Sequence, residues 1–388
     1  MKSGSDILIV GGGPVGATLA LALQSRDIHV HVLEARAPRV AHNDQRALAL
    51  SYGSRRILER LGVWDELAAQ ATPIETIHIS QRGSIGRTRL RAQEHGQPAL
   101  GYVLAYGALS AALDHALTAR PTVQITYEAE VTQIMPTASH AKVRFNHGDG
   151  QHETGHALVI LADGGRSLGD IPGLRRKTRE YGHDALVSKV VCELPHDNIA
   201  YERFTPAGPI ALLPNGARDF SLVWTGRQAE VQHLLKLPDD EFLTRLHAHF
   251  GDRVGRFLDI GKRLSFPLRL SYLDPVTAPH LVVIGNAAQT MHPVAGQGFN
   301  IGLRDAWELA DIIAQTQVTA WGEETMLQQY RQARRADTRG GILFTDFLVN
   351  LFSNDLLGLA SMRAGGLGLL DLLPAAKARL VDKMSFGG

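Results

Sequence analysis

The chain has 388 residues, 44% of them hydrophobic and 20% charged, which is enough for two domains with a sizeable core. Its formal net charge is +1 and it carries no long basic block, so nucleic acid is not an expected partner. A single cysteine, Cys192, excludes an internal disulfide and a cysteine-built metal site; its place in an apolar run predicts a buried thiol.

Ile7 to Val10 read as a short buried strand. Gly11, Gly13 and Gly16 follow as G-x-G-x-x-G, with Pro14 inside the loop, and Ala17 to Leu23 open an apolar helix. His29 to Leu33 form a second strand that ends in Glu34. This order is that of a dinucleotide-binding βαβ unit. Gly11 permits the tight turn, Gly13 admits a pyrophosphate, and Gly16 lets helix and strand pack closely. The helix start offers free N–H groups and a positive dipole end to phosphates. An acid at position 34 suits an unphosphorylated ribose, hence FAD or NAD rather than NADP. Lys2 and the apolar residues after it resemble a signal peptide, but Pro14 and the glycines favour strand, loop and helix.

Ala35, Arg36 and Arg39 lead into a loop, and Arg46 precedes an apolar-periodic segment. The pattern predicts one helix over 54–67 with Leu58, Leu61 and Trp64 on one face. Residues 74–90 alternate as a hairpin, and a helix is predicted over 107–119. Residues 122–162 read as a four-stranded meander ending in Asp163-Gly164. Strands are predicted over 187–194, 200–204, 210–213 and 220–226, then a helix over 239–250 and a strand over 266–272. A third buried strand, Leu281 to Ile284, ends at Gly285-Asn286. A loop with Pro293, Gly296 and Gly298 leads into a helix from about Asn300, and residues 323–388 read as helical. The pairs Arg55-Arg56 and Arg334-Arg335 read as solvated helix faces. No apolar stretch reaches about 18 residues, no His/Asp/Glu set has metal-ligand spacing, and neither G-x-S-x-G nor a P-loop occurs.

The three strand-end loops, 11–16, 163–167 and 285–300, together resemble those of the flavoprotein aromatic hydroxylases, the para-hydroxybenzoate hydroxylase-like monooxygenases. The likeness runs from residue 5 to about 385. The segments from Arg46 to Arg56, Glu202 to Pro214 and Gly285 to Asn300 resemble the ubiquinone-biosynthesis branch, of the 2-polyprenyl-6-methoxyphenol hydroxylase (UbiH) type. The resemblance implies an α/β fold: a Rossmann-like FAD-binding domain (1–75, 102–180, 273–330), a β-rich substrate domain (76–101, 181–272) and a helical C-terminal segment (331–388).

By the same resemblance, Glu34 with Ala35 and Arg36 holds the adenosine end of FAD, and Arg46 lies near the pyrophosphate. Asp163 and Gly164 help bind FAD, and Gly285 and Asn286 reach the ribityl chain. Gly296, Gly298, Phe299 and Asn300 lie at the N1–C2=O edge of the flavin, where a helix start stabilises negative charge. Pro293, Gly298 and Asn300 are the implied catalytic positions, Pro293 lining the face where oxygen reacts. Asn286 and Gln289 replace the Asp and His of many relatives, and Tyr106 stands where many place an Arg. The implied reaction uses NAD(P)H and O2 to hydroxylate a prenylated phenol of ubiquinone synthesis. Implied partners are that lipid-tailed substrate, a peripheral membrane or quinone-synthesis complex, and a further copy of the chain; the implied location is cytoplasmic, peripheral at the inner membrane. The motifs also suit a hydroxylase of a soluble aromatic or a non-catalytic FAD-bound assembly subunit. A leucine- and phenylalanine-rich stretch over 343–373 reads as core packing or as the membrane- or partner-facing segment.

Overall fold

The computed structural model describes residues 7–83, 86–205, 208–290, 297–352, 371 and 373–387, with the backbone alone for 297, 339 and 342–352. The chain forms a mixed α/β structure around two large sheets. The first has six strands in the order Thr277–Ala278, Leu281–Val283, Leu158–Leu161, Ile7–Val10, Val30–Leu33 and Val123–Thr126. All its neighbours run parallel except the first pair. Every residue of Ile7–Val10 and Leu158–Leu161 is buried, as expected for a parallel sheet covered on both faces.

One face is covered by the helices Pro14–Gln24, Tyr106–Thr118 and Gln297–Gln315, in a core that includes Leu19, Leu113 and Leu309. The other is covered by an antiparallel sheet of Glu130–Pro136, Ala141–His147 and Gly150–His156, through Val131, Ile134, Val143 and Phe145. The meander read from sequence is therefore three strands. Leu158–Leu161 and Val123–Thr126, which flank it, belong to the parallel sheet, the first as a continuous buried apolar strand and the second, alternating and half-buried, at its edge.

The second large sheet has nine strands, including Thr76–Gln81, Arg87–Arg91, Arg176–Cys192, Ile199–Phe204, Ile210–Pro214, Asp219–Arg227 and Leu264–Leu273. The 76–91 hairpin forms its edge. Two helices, Gln228–Lys236 and Asp239–Phe250, cover one face through Val231, Leu234, Phe242 and Phe250. Cys192 is buried in that core, and burial pushes its thiol up to about 12. The opposite face turns toward a small sheet of Ala47–Ser51, Gly101–Ala105 and Thr72–Ile74 and toward the helix Pro374–Phe386.

Several expectations change. The helix over 54–67 is two, Tyr52–Arg60 and Trp64–Ala68, because Gly62 adopts φ +73° and ends the first. The helix Gln228–Lys236 and the strand Phe257–Ile260 were not anticipated. Arg334 does not face solvent. It is buried between Asp305 and Asp337 at 2.7 and 2.6 Å, and Arg304 joins Asp337 at 2.8 Å. The apolar side chains of 343–352 and the leucines of 356–370 lie outside the described residues. Among the described residues no helix is long and apolar enough to cross a membrane.

Candidate active site

The carboxyl ends of the parallel strands open on a cleft, the position where α/β sheets bind ligands. Its three loop glycines divide by geometry. Gly11 has φ +102°, and a β-carbon there would lie 2.6 Å from the Asp163 Cα. A β-carbon on Gly16 would overlap the Gly11 carbonyl oxygen. Both are required by the protein's own packing. Gly13 is different: a β-carbon there would meet nothing closer than the Arg36 guanidinium and the Tyr106 hydroxyl, both at 3.8 Å. The space above Gly13 is open, and Gly13 is also the N-cap of the Pro14–Gln24 helix, with no side chain capping it. A helix start with unclaimed N–H groups beneath open space is a cradle for a pyrophosphate.

Glu34 closes the adenosine end. Its Oε2 accepts from the Gly12 N–H at 2.7 Å, and its Oε1 accepts from the Arg36 backbone N–H and Nε at 2.9 and 2.7 Å. Burial alone would raise the carboxyl, but the hydrogen bonds and charge of Arg36 and the Gly12 N–H hold it below the usual range. The group is thus a buried, ionised acceptor, as a ribose diol requires. Leu33, Ala35 and Tyr106 complete this part of the wall.

Asp163 and Gly164 also line the cleft, with Arg166 and Ser167. The Asp163 carboxylate folds its own loop, accepting from the N–H groups of Gly165 at 2.8 Å and Ser167 at 2.7 Å. Asn286 and Phe299 form the far end. Gly285, with φ +61°, is fixed by its N–H to Asp305 at 3.1 Å, and Gln289 reaches the same carboxylate at 3.2 Å. Gln289 is therefore a buried prop of the loop.

Asn300 is also buried. Its Oδ1 accepts from the Ser51 N–H at 2.8 Å and the Ser54 hydroxyl at 2.7 Å, and its Nδ2 donates to the Ala49 carbonyl at 3.0 Å. The side chain thus ties the start of the Gln297–Gln315 helix to the strand Ala47–Ser51, leaving backbone N–H groups as what this turn offers a ligand. Among the described residues, nothing lies within 4 Å of where a β-carbon on Gly298 would sit. Pro293 and Gly296 lie outside the described residues. Arg46 is not on the cleft wall: it pairs with Asp44 at 2.5 Å and stacks on the Tyr106 ring at 5.3 Å. Its link to the cleft runs through Tyr106.

Sequence reasoning missed the group that fixes the 285 loop from behind, Asp305 with Arg334. The three-residue spacing of Arg334 and Asp337 on one helix was its only signal.

A family profile described as an FAD binding domain matches residues 4–341. The chain belongs to this family. It is an FAD-dependent monooxygenase, and the open helix start, the ionised Glu34 and the long cleft fit FAD. The chain is 36% identical to the ubiquinone hydroxylase UbiL of Rhodospirillum rubrum over 99% of its own length and 90% of that protein's. It is 32% identical to the 3-demethoxyubiquinol 3-hydroxylase of Escherichia coli, covering 94% of each. The crystal structure of the p-nitrophenol 4-monooxygenase PnpA from Pseudomonas putida DLL-E4 shares the fold of this flavoprotein with a TM-score of 0.80, at 17% identity, covering 100% of this chain and 99% of that one.

Proposed function

We propose that this flavoprotein hydroxylates the ring of a prenylated phenol on the route to ubiquinone, with 2-polyprenyl-6-methoxyphenol as the substrate, NAD(P)H as reductant and O2 as the oxygen source. The observation that carries this reading is the match to a ubiquinone hydroxylase across nearly the whole chain, including the sheet that lies outside the cofactor cleft. Bound FAD supplies the redox chemistry, taking electrons from NAD(P)H and activating O2.

The chain's residues bind and orient. Gly13 and the helix start receive the pyrophosphate, Glu34 the ribose hydroxyls, and Asn286 the ribityl chain. The backbone of Gly298, Phe299 and Asn300 would hold the pyrimidine edge of the ring, and the resemblance assigns Pro293 and Gly296, outside the described residues, to the same site. The Asn300 clamp fixes that turn in one geometry, which a transfer step between two held rings needs. The parts built from 1–75, 102–180 and 273–330 form the cofactor domain. Those from 76–101 and 181–272 form the substrate domain, and the helices Glu324–Phe352 and Pro374–Phe386 belong to a C-terminal extension. A lipid-tailed substrate is collected at a membrane surface or from a partner of the same pathway, and flotation with liposomes tests that contact.

The test is product analysis. Purified yellow protein is given NAD(P)H, O2 and 2-polyprenyl-6-methoxyphenol, or the demethoxyubiquinol acted on by the Escherichia coli relative. A ring-hydroxylated product supports the reading. NAD(P)H oxidation that no prenylated phenol stimulates contradicts it.

A further inference from the structure

The face of the nine-stranded sheet opposite its two covering helices carries a carboxyl that the cofactor does not use. On the strand Ile199–Phe204, Tyr201 turns toward the covering helices, its ring 6.1 Å from Phe220 and 5.7 Å from Phe250. Side chains alternate along a strand, so Glu202 points to the other face. Its ladder neighbours are Ile79 and Ala211. The same row continues through Val223, Val187 and Leu264. Between Ile79 and Leu264 a single carboxyl therefore stands in an otherwise apolar row, with Thr88 beyond Ile79 at the sheet edge.

That face meets the cofactor-side structure. Its residues Ile77, Ala200 and Leu213 pack with Ala47, Ile74 and Val103. Ala47 begins the strand whose Ala49 carbonyl holds Asn300. At the far side of the sheet, Leu270 packs with Ile301, next in sequence to Asn300. The row thus lies over the strand and helix that bear the proposed flavin turn.

A second polar group faces the same way. Gln81 follows Ile79 by two residues, on the same side of its strand, and pairs with Phe204 as Ile79 pairs with Glu202. It is 8% exposed, and its Oε1 has no hydrogen-bond partner among the described residues. A buried amide oxygen without a donor is costly, and a ligand hydroxyl would satisfy it.

We propose that Glu202 is the acid–base group of the hydroxylation, accepting the phenolic proton of the substrate while Gln81 accepts from the ring hydroxyl that the reaction installs. This rests on the reading of the substrate as a phenol. As the new ring C–O bond forms and the O–O bond of the reduced dioxygen breaks, the phenolic O–H bond also breaks and its proton passes to the carboxylate. The ring carbon then loses its hydrogen as a proton, and Glu202 returns its own to the phenolic oxygen. NAD(P)H supplies the two electrons, one oxygen atom of O2 enters the ring, and the other leaves as water. The apolar row beside Glu202 is the surface for the prenyl tail.

Burial pushes the Glu202 carboxyl up to about 7, with no charged group contributing, near the value that suits proton exchange at neutral pH. The charged groups near this row include three ion pairs. Asp371 pairs with Lys377 at 2.7 Å, beyond Ile79 and Thr88. Lys189 pairs with Asp219, beyond Ala211 and Val223, and Arg46 with Asp44 ahead of Ala47.

The test compares wild-type holoenzyme with Glu202→Gln and Glu202→Asp. Glu202→Gln is expected to retain FAD yet form hydroxylated product about 100-fold more slowly. The wild-type rate is expected to rise with pH through about 7, and that limb to vanish in Glu202→Gln. Infrared difference spectra give a readout without turnover: a protonated-carboxyl band that titrates near pH 7 in wild type, shifts in Glu202→Asp and is missing in Glu202→Gln. If Glu202→Gln matches wild type in rate and pH profile, or no such band titrates, the role of Glu202 is overturned while the phenol reading stands. A wild type that holds FAD but hydroxylates no phenol removes both.

Discussion

The Gly11 carbonyl oxygen occupies the place where a β-carbon on Gly16 would have to go. Gly13, between them, has no such neighbour. The two kinds of glycine separate folding from binding. Gly16→Ala is expected to lower stability markedly, because helix and turn must part to admit a methyl group. Gly13→Val is expected to fold with wild-type circular dichroism but purify colourless. A yellow Gly13→Val protein with full flavin occupancy removes this loop from the cofactor site.

Glu34 is held ionised by Arg36 and Gly12. Charge-assisted hydrogen bonds to its carboxylate contribute about 1.5–3 kcal/mol, so Glu34→Ala is expected to weaken FAD by roughly 10- to 100-fold. A folded carboxyl below its usual 4.5 contributes stability that is present above pH 4.5 and lost as pH falls through the lower folded value. Wild type is therefore expected to release FAD and lose stability on acidification below 4.5, and Glu34→Gln to show a shallower decline. Equilibrium dialysis and thermal melts across pH 3–6 check both.

Arg334 joins Asp305 to Asp337, and Asp305 holds the Gly285 N–H. Removing one member of a buried charge set strands the others, at about 3–5 kcal/mol. Arg334→Ala is expected to lower the melting temperature by several degrees and to raise the FAD dissociation constant by loosening the Gly285 loop. Arg335→Ala, one residue along on the exposed side, is the control and should change neither. Equal effects of the two would contradict the buried network.

The Glu202 carboxyl makes the opposite pH contribution to Glu34. Its folded value is raised from 4.5 to about 7, so its own contribution to stability is most favourable below pH 4.5, declines between 4.5 and 7, and stays reduced above. Glu202→Gln is expected to raise the melting temperature at pH 8 relative to pH 5. An identical difference from wild type at both pH values would place Glu202 in water.

Much of this was legible because it is local. Gly11, Gly13, Gly16 and Glu34 lie within 24 residues, and the strand, turn and helix around them are set by apolar runs and glycine conformations. Asp163 and Gly285 could be placed because each ends a continuous apolar strand. What sequence could not show was long-range. Asn300 carries the expected motif, yet its side chain spends its hydrogen bonds on Ala49, Ser51 and Ser54, some 250 positions away in the chain. Arg334 looked solvated because helical periodicity does not reveal that Asp305 of another helix faces it. Arg46 stands off the cleft because Asp44, two residues before it, captures its guanidinium. Glu202 was visible only as part of a motif, and its solitude among apolar neighbours emerged from the register of six strands.

The most direct test of the account is oxygen-18 incorporation. Purified holoenzyme is incubated with 18O2, NAD(P)H and 2-polyprenyl-6-methoxyphenol, and the ring products are read by mass spectrometry. The account predicts one 18O atom per hydroxylated product, formed only when flavin, reductant and phenol are all present. Reductant consumed without labelled product, at a rate indifferent to the phenol, would contradict it.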